Sequence, residues 1–290
     1  MTLTTADLAS RLNLGRLRRS WRGNCPACDY ARAFSLRDSK GRTLAFCANG
    51  CTQETLGDAL ARVAGEDWKA RAPSSPNPDD AARRERTTTD ALRVWAGATA
   101  ALNTLADRYL IGRALPGLAA SPALRFRGDC YHPEQRGRYP ALVALVVDVT
   151  GRPMAVHRTY LTSTGHKANI EPSKASKGPI WGSAIRLDPE APEIVIGEGI
   201  ESSASAGRLL NLPAWAAISA GNMAHGLVLP ESARAVVIAA DADQAGVGAA
   251  ETAAARWRAE GRRVRIARPD APGQDFNDLL RAKLGVDRAA

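Results

Sequence analysis

Between Glu193 and Asp278 the chain repeats one pattern: a short apolar run that ends in acidic residues. Glu193-Ile-Val-Ile-Gly leads into Glu198-Gly-Ile-Glu201. Ala235-Val-Val-Ile-Ala-Ala leads into Asp241-Ala-Asp243-Gln-Ala-Gly246. A third run ends in the loop Pro269-Asp-Ala-Pro-Gly273-Gln-Asp275-Phe-Asn-Asp278. Apolar runs without alternation suit strands buried on both faces, and helix-length stretches separate them. Strands are expected at 193–197, 214–218, 235–240 and 263–267, with helices at 200–210 and 244–260. This is a βαβ rhythm, and it predicts a parallel sheet.

In an open α/β sheet, ligands bind beyond the carboxyl ends of the strands. Glu198, Asp241, Asp243, Asp275 and Asp278 all fall at such ends. Clustered carboxylates repel one another unless a cation joins them, and hard oxygen ligands select Mg²⁺ or Mn²⁺. Divalent ions held this way serve phosphoryl transfer. Gly197 and Gly199 would let a ligand approach the backbone closely. Taken singly, each acid is equally at home as a helix cap or a loop residue.

The N-terminal part carries a second constellation. Cys25-Pro-Ala-Cys28 is followed, after eighteen residues, by Cys47-Ala-Asn-Gly-Cys51. Two close cysteine pairs, separated by a stretch able to form a hairpin, offer four thiolates to a tetrahedral zinc ion. The hairpin is legible: Phe34-Ser-Leu alternates, Asp38 to Gly41 turns, and Thr43 to Phe46 returns. Four thiolates leave no open coordination position, so the zinc is expected to be structural. Buried free thiols and a redox CxxC are the other readings of the same residues. Arg16, Arg18, Arg19 and Arg22 precede the first pair and suit a nucleic-acid backbone, or else a solvated face. Cys130 stands alone and reads as a partly buried thiol.

The 290 residues carry a formal charge of +9, which favours a polyanionic partner such as nucleic acid. Aromatic residues are only 5%, so the core must draw on Ala, Leu and Val. The longest apolar run, Ala141 to Val147, is too short to span a bilayer. The odd cysteine count and the polar start argue against a secreted disulfide framework, and the chain reads as cytoplasmic, with no membrane partner.

Four segments follow. Residues 1–69 read as a zinc-binding module with helices at 5–12 and 54–64. Residues 70–86, rich in proline and serine, read as a linker. Residues 87–190 read as a mixed α/β basic subdomain, with a helix over 89–112, strands at 141–149 and 153–160, and a loop over 162–183. Residues 191–290 read as the parallel-sheet domain.

Glu198 after one apolar strand and Asp241-x-Asp243 after another resemble the Toprim domain of primases and topoisomerases. The run Asp241 to Gly246, with Pro272-Gly-Gln-Asp275 following, is similar to the primase branch. Cys25-Pro and Gly57-Asp58 resemble the zinc-binding domain of bacterial and phage replicative primases. The order of zinc module, linker, mixed α/β segment and Toprim domain also resembles that family and covers most of the chain. It resembles, too, the primase-like proteins of phages and mobile elements.

The resemblance implies an α/β fold: a small zinc-ribbon-like module, a mixed α/β subdomain and a Rossmann-like Toprim sheet. It implies Glu198, Asp241 and Asp243 as metal or acid/base residues, with Asp275 assisting. Asn277 stands where the family often has a second aspartate, and Asp278 follows as the alternative magnesium ligand. Arg158, Lys167, Lys174, Lys177 and Arg186 occupy the stretch that binds template and nucleoside triphosphates in that family. The implied partners are single-stranded DNA, nucleoside triphosphates and a replicative helicase acting in trans.

Several chemistries are not written in the sequence. No G-x-x-x-x-G-K-[ST] occurs, Gly197-x-Gly199 lacks the third glycine of a dinucleotide fingerprint, and Ser203-Ala-Ser205-Ala-Gly207 misses G-x-S-x-G. The expected function is primer synthesis: Mg²⁺-dependent nucleotidyl transfer that makes short RNA on single-stranded DNA. A recombination-mediator-like binding protein and a Toprim nuclease are the alternatives.

Overall fold

The structure, a computed structural model, describes residues 3–17, 20–39, 42–47, 51–65, 78–242 and 244–286. The chain forms two units, Met1–Arg86 and Thr87–Ala290.

In the first unit, helix α1 (Thr5–Arg11) starts with a capping box between Thr4 and Asp7. Strands β1 (Gly15–Leu17), β2 (Ser20–Gly23), β3 (Phe34–Ser39) and β4 (Arg42–Cys47) make an antiparallel sheet in that order. The hairpin read between the cysteine pairs is β3–β4, and Phe34 pairs with Cys47 at its open end. Helix α2 (Gln53–Ala64) is capped by Thr52, and Gly65 ends it at φ 74°, a positive value that glycine adopts readily. Arg11 reaches across to the Ala64 carbonyl at 2.8 Å and so satisfies the end of α2.

Helix α3 (Pro78–Ala96) begins well before the expected helix start at 89. Of the expected linker, residues 66–77 lie outside the described residues, while 78–86 are helical. Pro78 is tolerated because it occupies the first helical position, where its missing N–H has no partner to lose. The single helix expected over 89–112 is two: α3, and α4 (Leu105–Gly112), which Thr104 caps. The short strand β5 (Thr99–Ala100) lies between them.

The second unit holds two sheets. Strands β6 (Leu124–His132), β7 (Gly137–Val147), β8 (Pro153–Tyr160) and β9 (Lys174–Lys177) join β5 in an antiparallel sheet of order β5-β6-β7-β8-β9. Ala91, Val94 and Trp95 of α3 pack on it against Ala141, Val143, Val156 and Tyr160.

The other sheet contains β10 (Ile185–Arg186), β11 (Glu193–Gly197), β12 (Ala214–Ala216), β13 (Ala235–Ala239) and β14 (Arg263–Ala267). Its order is β10-β12-β11-β13-β14, and all its pairs except β10–β12 are parallel. Helix α5 (Ile200–Leu210) connects β11 to β12, and α6 (Gln244–Ala259) connects β13 to β14. Ile194, Ile196, Val236 and Ile238 point to one face and pack with Ala250, Ala253, Ala254 and Trp257 of α6. Val195, Val237 and Ala239 point to the other, beside Ala206 of α5 and Phe276 of α7 (Phe276–Lys283). Covering both faces explains the unbroken apolar runs. Alanines dominate the helix side of this core, as the low aromatic content requires.

Gly207 lets α5 lie close to the sheet. A Cβ there would come within 2.8 Å of both the Ala214 Cβ and the Leu212 carbonyl. Among the described residues no helix is long and apolar enough to cross a membrane.

Candidate functional site

The four cysteines converge. Cys25 and Cys28 sit in the turn after β2, Cys47 ends β4 and Cys51 precedes α2, and all four are buried. Their sulfurs lie within 4.8 Å of one another. The Cys25–Cys51 and Cys28–Cys47 separations are 3.9 and 3.7 Å. A tetrahedral ion with metal–sulfur bonds of about 2.3 Å has sulfur–sulfur edges of about 3.8 Å, so the donor set fits a zinc-type ion. No disulfide joins these thiols. Hydrogen bonding from Cys28 raises the Cys25 thiol far above its ordinary value, and bonding to Cys25 lowers Cys28. Crowded sulfurs share protons in this way, and a divalent cation would replace those protons.

The acidic constellation is built by the parallel sheet. From β11 the chain turns to β12 on one side, and from β13 it turns to β14 on the other. The gap between the ends of β11 and β13 is therefore the topological switch point, where such sheets bind ligands. Glu198 follows β11 directly and is half-buried, and Asp241 lies two residues beyond β13 and is also half-buried.

The loop after β14 closes over this edge. Gly273 donates to the Ala242 carbonyl at 2.9 Å, and Ala242 donates to that of Gln274 at 3.1 Å. A Cβ on Gly197 would lie 2.6 Å from Ser203 Oγ, so only glycine permits this tight turn from β11 into α5. Ile218, just past β12, has φ 75° and donates to the Glu198 carbonyl at 2.8 Å. A β-branched residue in the left-handed region is strained, and here the strain sits beside the site.

The remaining acids are placed differently. Asp275 caps α7: its carboxylate accepts from Asp278 N at 2.8 Å, while Asp278 accepts from Asp275 N at 3.4 Å. This reciprocal capping box holds both carboxylates on the helix start, the alternative each acid has when taken singly. Asp243 lies outside the described residues. Among the described residues, the four thiols are the only group of three or more acids, thiols and imidazoles with single-ion spacing.

The expected basic residues also divide. Arg158 is buried, and its guanidinium donates to the carbonyls of Ala175, Tyr131 and Ser176 at 3.2, 3.3 and 3.4 Å. Arg186 donates to the Asp148 and Val149 carbonyls at 3.0 and 2.7 Å and stacks 4.3 Å from the Trp215 ring centroid. These contacts brace the fold around both arginines; Arg158 is enclosed, while Arg186 is half-buried and also pairs with Glu190 at 3.3 Å. Lys167 and Arg22 are exposed. Lys177 lies 3.6 Å from Asp90, with both side chains well exposed. Arg18 and Arg19 lie outside the described residues.

Lys174 makes the connection that the sequence did not suggest. Its ammonium pairs with Glu201 Oε2 at 2.8 Å, and the Tyr109 hydroxyl donates to Glu201 Oε1 at 2.5 Å. Burial alone would raise the Glu201 carboxyl, but Lys174 and the hydrogen bonds it accepts hold it well below the usual range. Burial, with Glu201 nearby, pushes the Tyr109 phenol far up. His157 is buried beside this group and bonds Ser176 Oγ through Nδ1 at 2.9 Å. Burial first, then the Lys174 charge, lowers it to about 3. Glu201 was legible only as an acid three residues after Glu198. Tyr109 is 92 residues away in sequence, and only the fold brings it near.

Residues 193–285 match the family described as a Toprim domain. The C-terminal part of the chain is a Toprim domain. The β11–α5 turn, with Glu198, and the β13 end, with Asp241, lie in the Toprim domain. Residues 85–187, which include β6 to β9, match a family described as a domain of unknown function. No curated protein matches the chain.

Similar solved structures include the zinc-binding and RNA polymerase domains of the Aquifex aeolicus primase. They are 16% identical, with a TM-score of 0.48, over 96% of this chain and 79% of that one. The primase fragment of the bacteriophage T7 primase-helicase protein is 16% identical, with a TM-score of 0.42, over 92% and 95%. A DnaG primase catalytic domain bound to single-stranded DNA is 17% identical, with a TM-score of 0.47, over 70% and 79%.

Proposed function

We propose that the chain is a primase-type nucleotidyltransferase that joins nucleoside triphosphates into short RNA on single-stranded DNA. The observation that carries this reading is that Glu198 and Asp241 follow the ends of adjacent parallel strands at the switch point of a Toprim domain, on a chain that also gathers four cysteines at the spacing of a metal site. In this reading Glu198, Asp241 and Asp243 hold Mg²⁺ or Mn²⁺, and Cys25, Cys28, Cys47 and Cys51 hold a structural zinc ion. A divalent ion bound at the acids neutralises phosphate charge and aligns the attacking oxygen. Asp275 and Asp278 contribute by fixing α7 and the loop that closes the edge.

Lys174, Lys177 and Lys167 supply cations for the triphosphate or the template phosphates. Arg22, with Arg18 and Arg19, supplies backbone contacts on the zinc module. The helicase that would deliver template acts in trans.

The test is a primer-synthesis assay with single-stranded DNA, labelled nucleoside triphosphates and Mg²⁺ or Mn²⁺, beside an Asp241→Ala, Asp243→Ala double variant. Short products that vanish in the variant are the expected result. Cleavage of DNA or RNA without nucleotides would point to a nuclease. DNA binding that needs no divalent ion, with no product over a broad set of templates and a helicase supplied, would point to a binding protein.

A further inference from the structure

The Lys174–Glu201 pair is unequal. The Glu201 side chain is 5% exposed and the Lys174 side chain 36%. The acid is enclosed and held from two sides, by Tyr109 and by Lys174, while the lysine side chain is partly exposed. An ammonium has three donors, and Glu201 accepts one of them. The pair also lies against the proposed metal-binding turn: a Cβ on Gly199 would sit 3.6 Å from Glu201 Oε2. Asp275 is close enough to act electrostatically on Tyr109. The pair thus stands beside the end of β11, and it links β9 of the antiparallel sheet to α5 of the Toprim domain.

We infer that Glu201 is a positioning residue that holds the Lys174 ammonium beside the Glu198-Gly199 turn, where it meets a phosphate of the bound nucleoside triphosphate. The inference rests on the nucleotidyl-transfer reading. An ion pair of this kind is weak evidence for a purely stabilising role, since apolar side chains of similar volume often join two parts of a fold as well. The pair is also lopsided, an enclosed acid with a partly exposed lysine, which leaves part of the lysine open to a ligand. Tyr109 is the third member. Its hydroxyl fixes the carboxylate orientation, so the oxygen facing Lys174 does not rotate away.

The charges give the test a direction. Glu201 is negative, so neutralising it does not weaken attraction between Lys174 and a triphosphate. What is lost is the placement of the lysine, and placement acts on the reacting complex more than on binding. Glu201→Gln keeps the shape and the acceptor for Tyr109 but releases the lysine.

The experiment measures kcat and KM for nucleoside triphosphate in primer synthesis. It uses the full chain and its Glu201→Gln, Lys174→Met and doubly substituted forms, with melting curves to establish folding. Glu201→Gln is expected to lower kcat by about 10- to 100-fold while leaving KM unchanged or lower. Lys174→Met should raise KM and lower kcat. The double variant should be no worse than Lys174→Met alone, because Glu201 acts only through the lysine.

If Glu201→Gln does not fold, Tyr109→Phe, which removes only the orienting hydroxyl, should show the same split to a smaller degree. A folded Glu201→Gln with wild-type kcat and KM overturns the inference alone, as do additive losses in the double variant. A wild-type chain that makes no primer, with a helicase supplied, overturns the nucleotidyl-transfer reading and this inference with it.

Discussion

Gly197 of β11 and Ala239 of β13 are paired across the parallel ladder, so the two strands end level and release Glu198 and Asp241 along one edge of the sheet. The level ending follows from the register: Glu193 pairs with Ala235, and the four pairs that follow keep step without a bulge. Two carboxylates at one edge repel, and binding a cation relieves that repulsion.

Glu198→Gln and Asp241→Asn are therefore each expected to lower Mg²⁺-dependent synthesis by about 100-fold or more, the scale of several kcal/mol of lost charge stabilisation. Neither side chain belongs to the apolar core, so the melting temperature measured without divalent ions should hold or rise slightly. A variant that keeps full activity would remove its acid from the site.

If the tetrathiol cage holds structural zinc, as proposed, the first unit depends on that metal. Chelation, or Cys28→Ser, is expected to release one zinc ion per chain and to unfold the Met1–Arg86 unit, because structural zinc contributes about 10–16 kcal/mol to domains of this kind. The Toprim domain has its own core around Trp257 and should keep its melting transition. Zinc release, thiol titration and circular dichroism on the same sample check this. A first unit that stays folded with four reactive thiols would mean the cage is not a structural metal site.

Much of this fold was legible because its signals are local. The strands at 193–197 and 263–267, the helix at 200–210 and the strand at 153–160 fall where the apolar runs place them. The β3–β4 hairpin likewise follows from alternation and a turn. Strand β6 was missed because Leu124-Arg-Phe-Arg-Gly-Asp-Cys-Tyr-His mixes charges and glycine into the run, and its register shifts between Arg127 and Cys130. The capping role of Asp275 and Asp278 was weighed for each acid singly, but spacing alone did not decide it. The enclosure of Arg158 was not legible, because charge in a sequence carries no sign of burial. Glu201 needed partners on α4 and β9, which no window of sequence contains.

Two helical glycines should respond oppositely to alanine. Gly248 of α6 is exposed, and a Cβ there meets nothing within 4 Å. Gly248→Ala is expected to stabilise the domain by about 0.5–1 kcal/mol through reduced backbone entropy. At Gly207 the same gain is offset by overpacking against Ala214 and the rigid Leu212 carbonyl, which costs about 1–3 kcal/mol. Denaturant midpoints of the two variants should fall on opposite sides of wild type. A stabilised Gly207→Ala would mean that α5 stands further from β12 than the structure places it.

Acid should weaken the Thr87–Ala290 unit through His157 and Glu201 together. In the fold, burial and the nearby Lys174 and Arg158 charges lower His157 from 6.5 to about 3, with Glu201 opposing them. Between those values the unfolded chain binds a proton that the folded chain refuses. Stability from this group is therefore full above about pH 6.5 and falls by up to about 1.4 kcal/mol for each pH unit below it. Glu201 acts with the same sign. Lys174 and the hydrogen bonds it accepts keep its carboxyl below the ordinary range, so its stabilisation is present at neutral pH and is lost as acid protonates the unfolded chain. Urea unfolding of wild type and His157→Gln between pH 7.5 and 4.5 separates the two groups. The wild type should lose stability more steeply, and its advantage over the variant should shrink as pH falls. Parallel pH profiles would mean that His157 titrates normally in the fold and is not the buried neutral group placed beside Lys174.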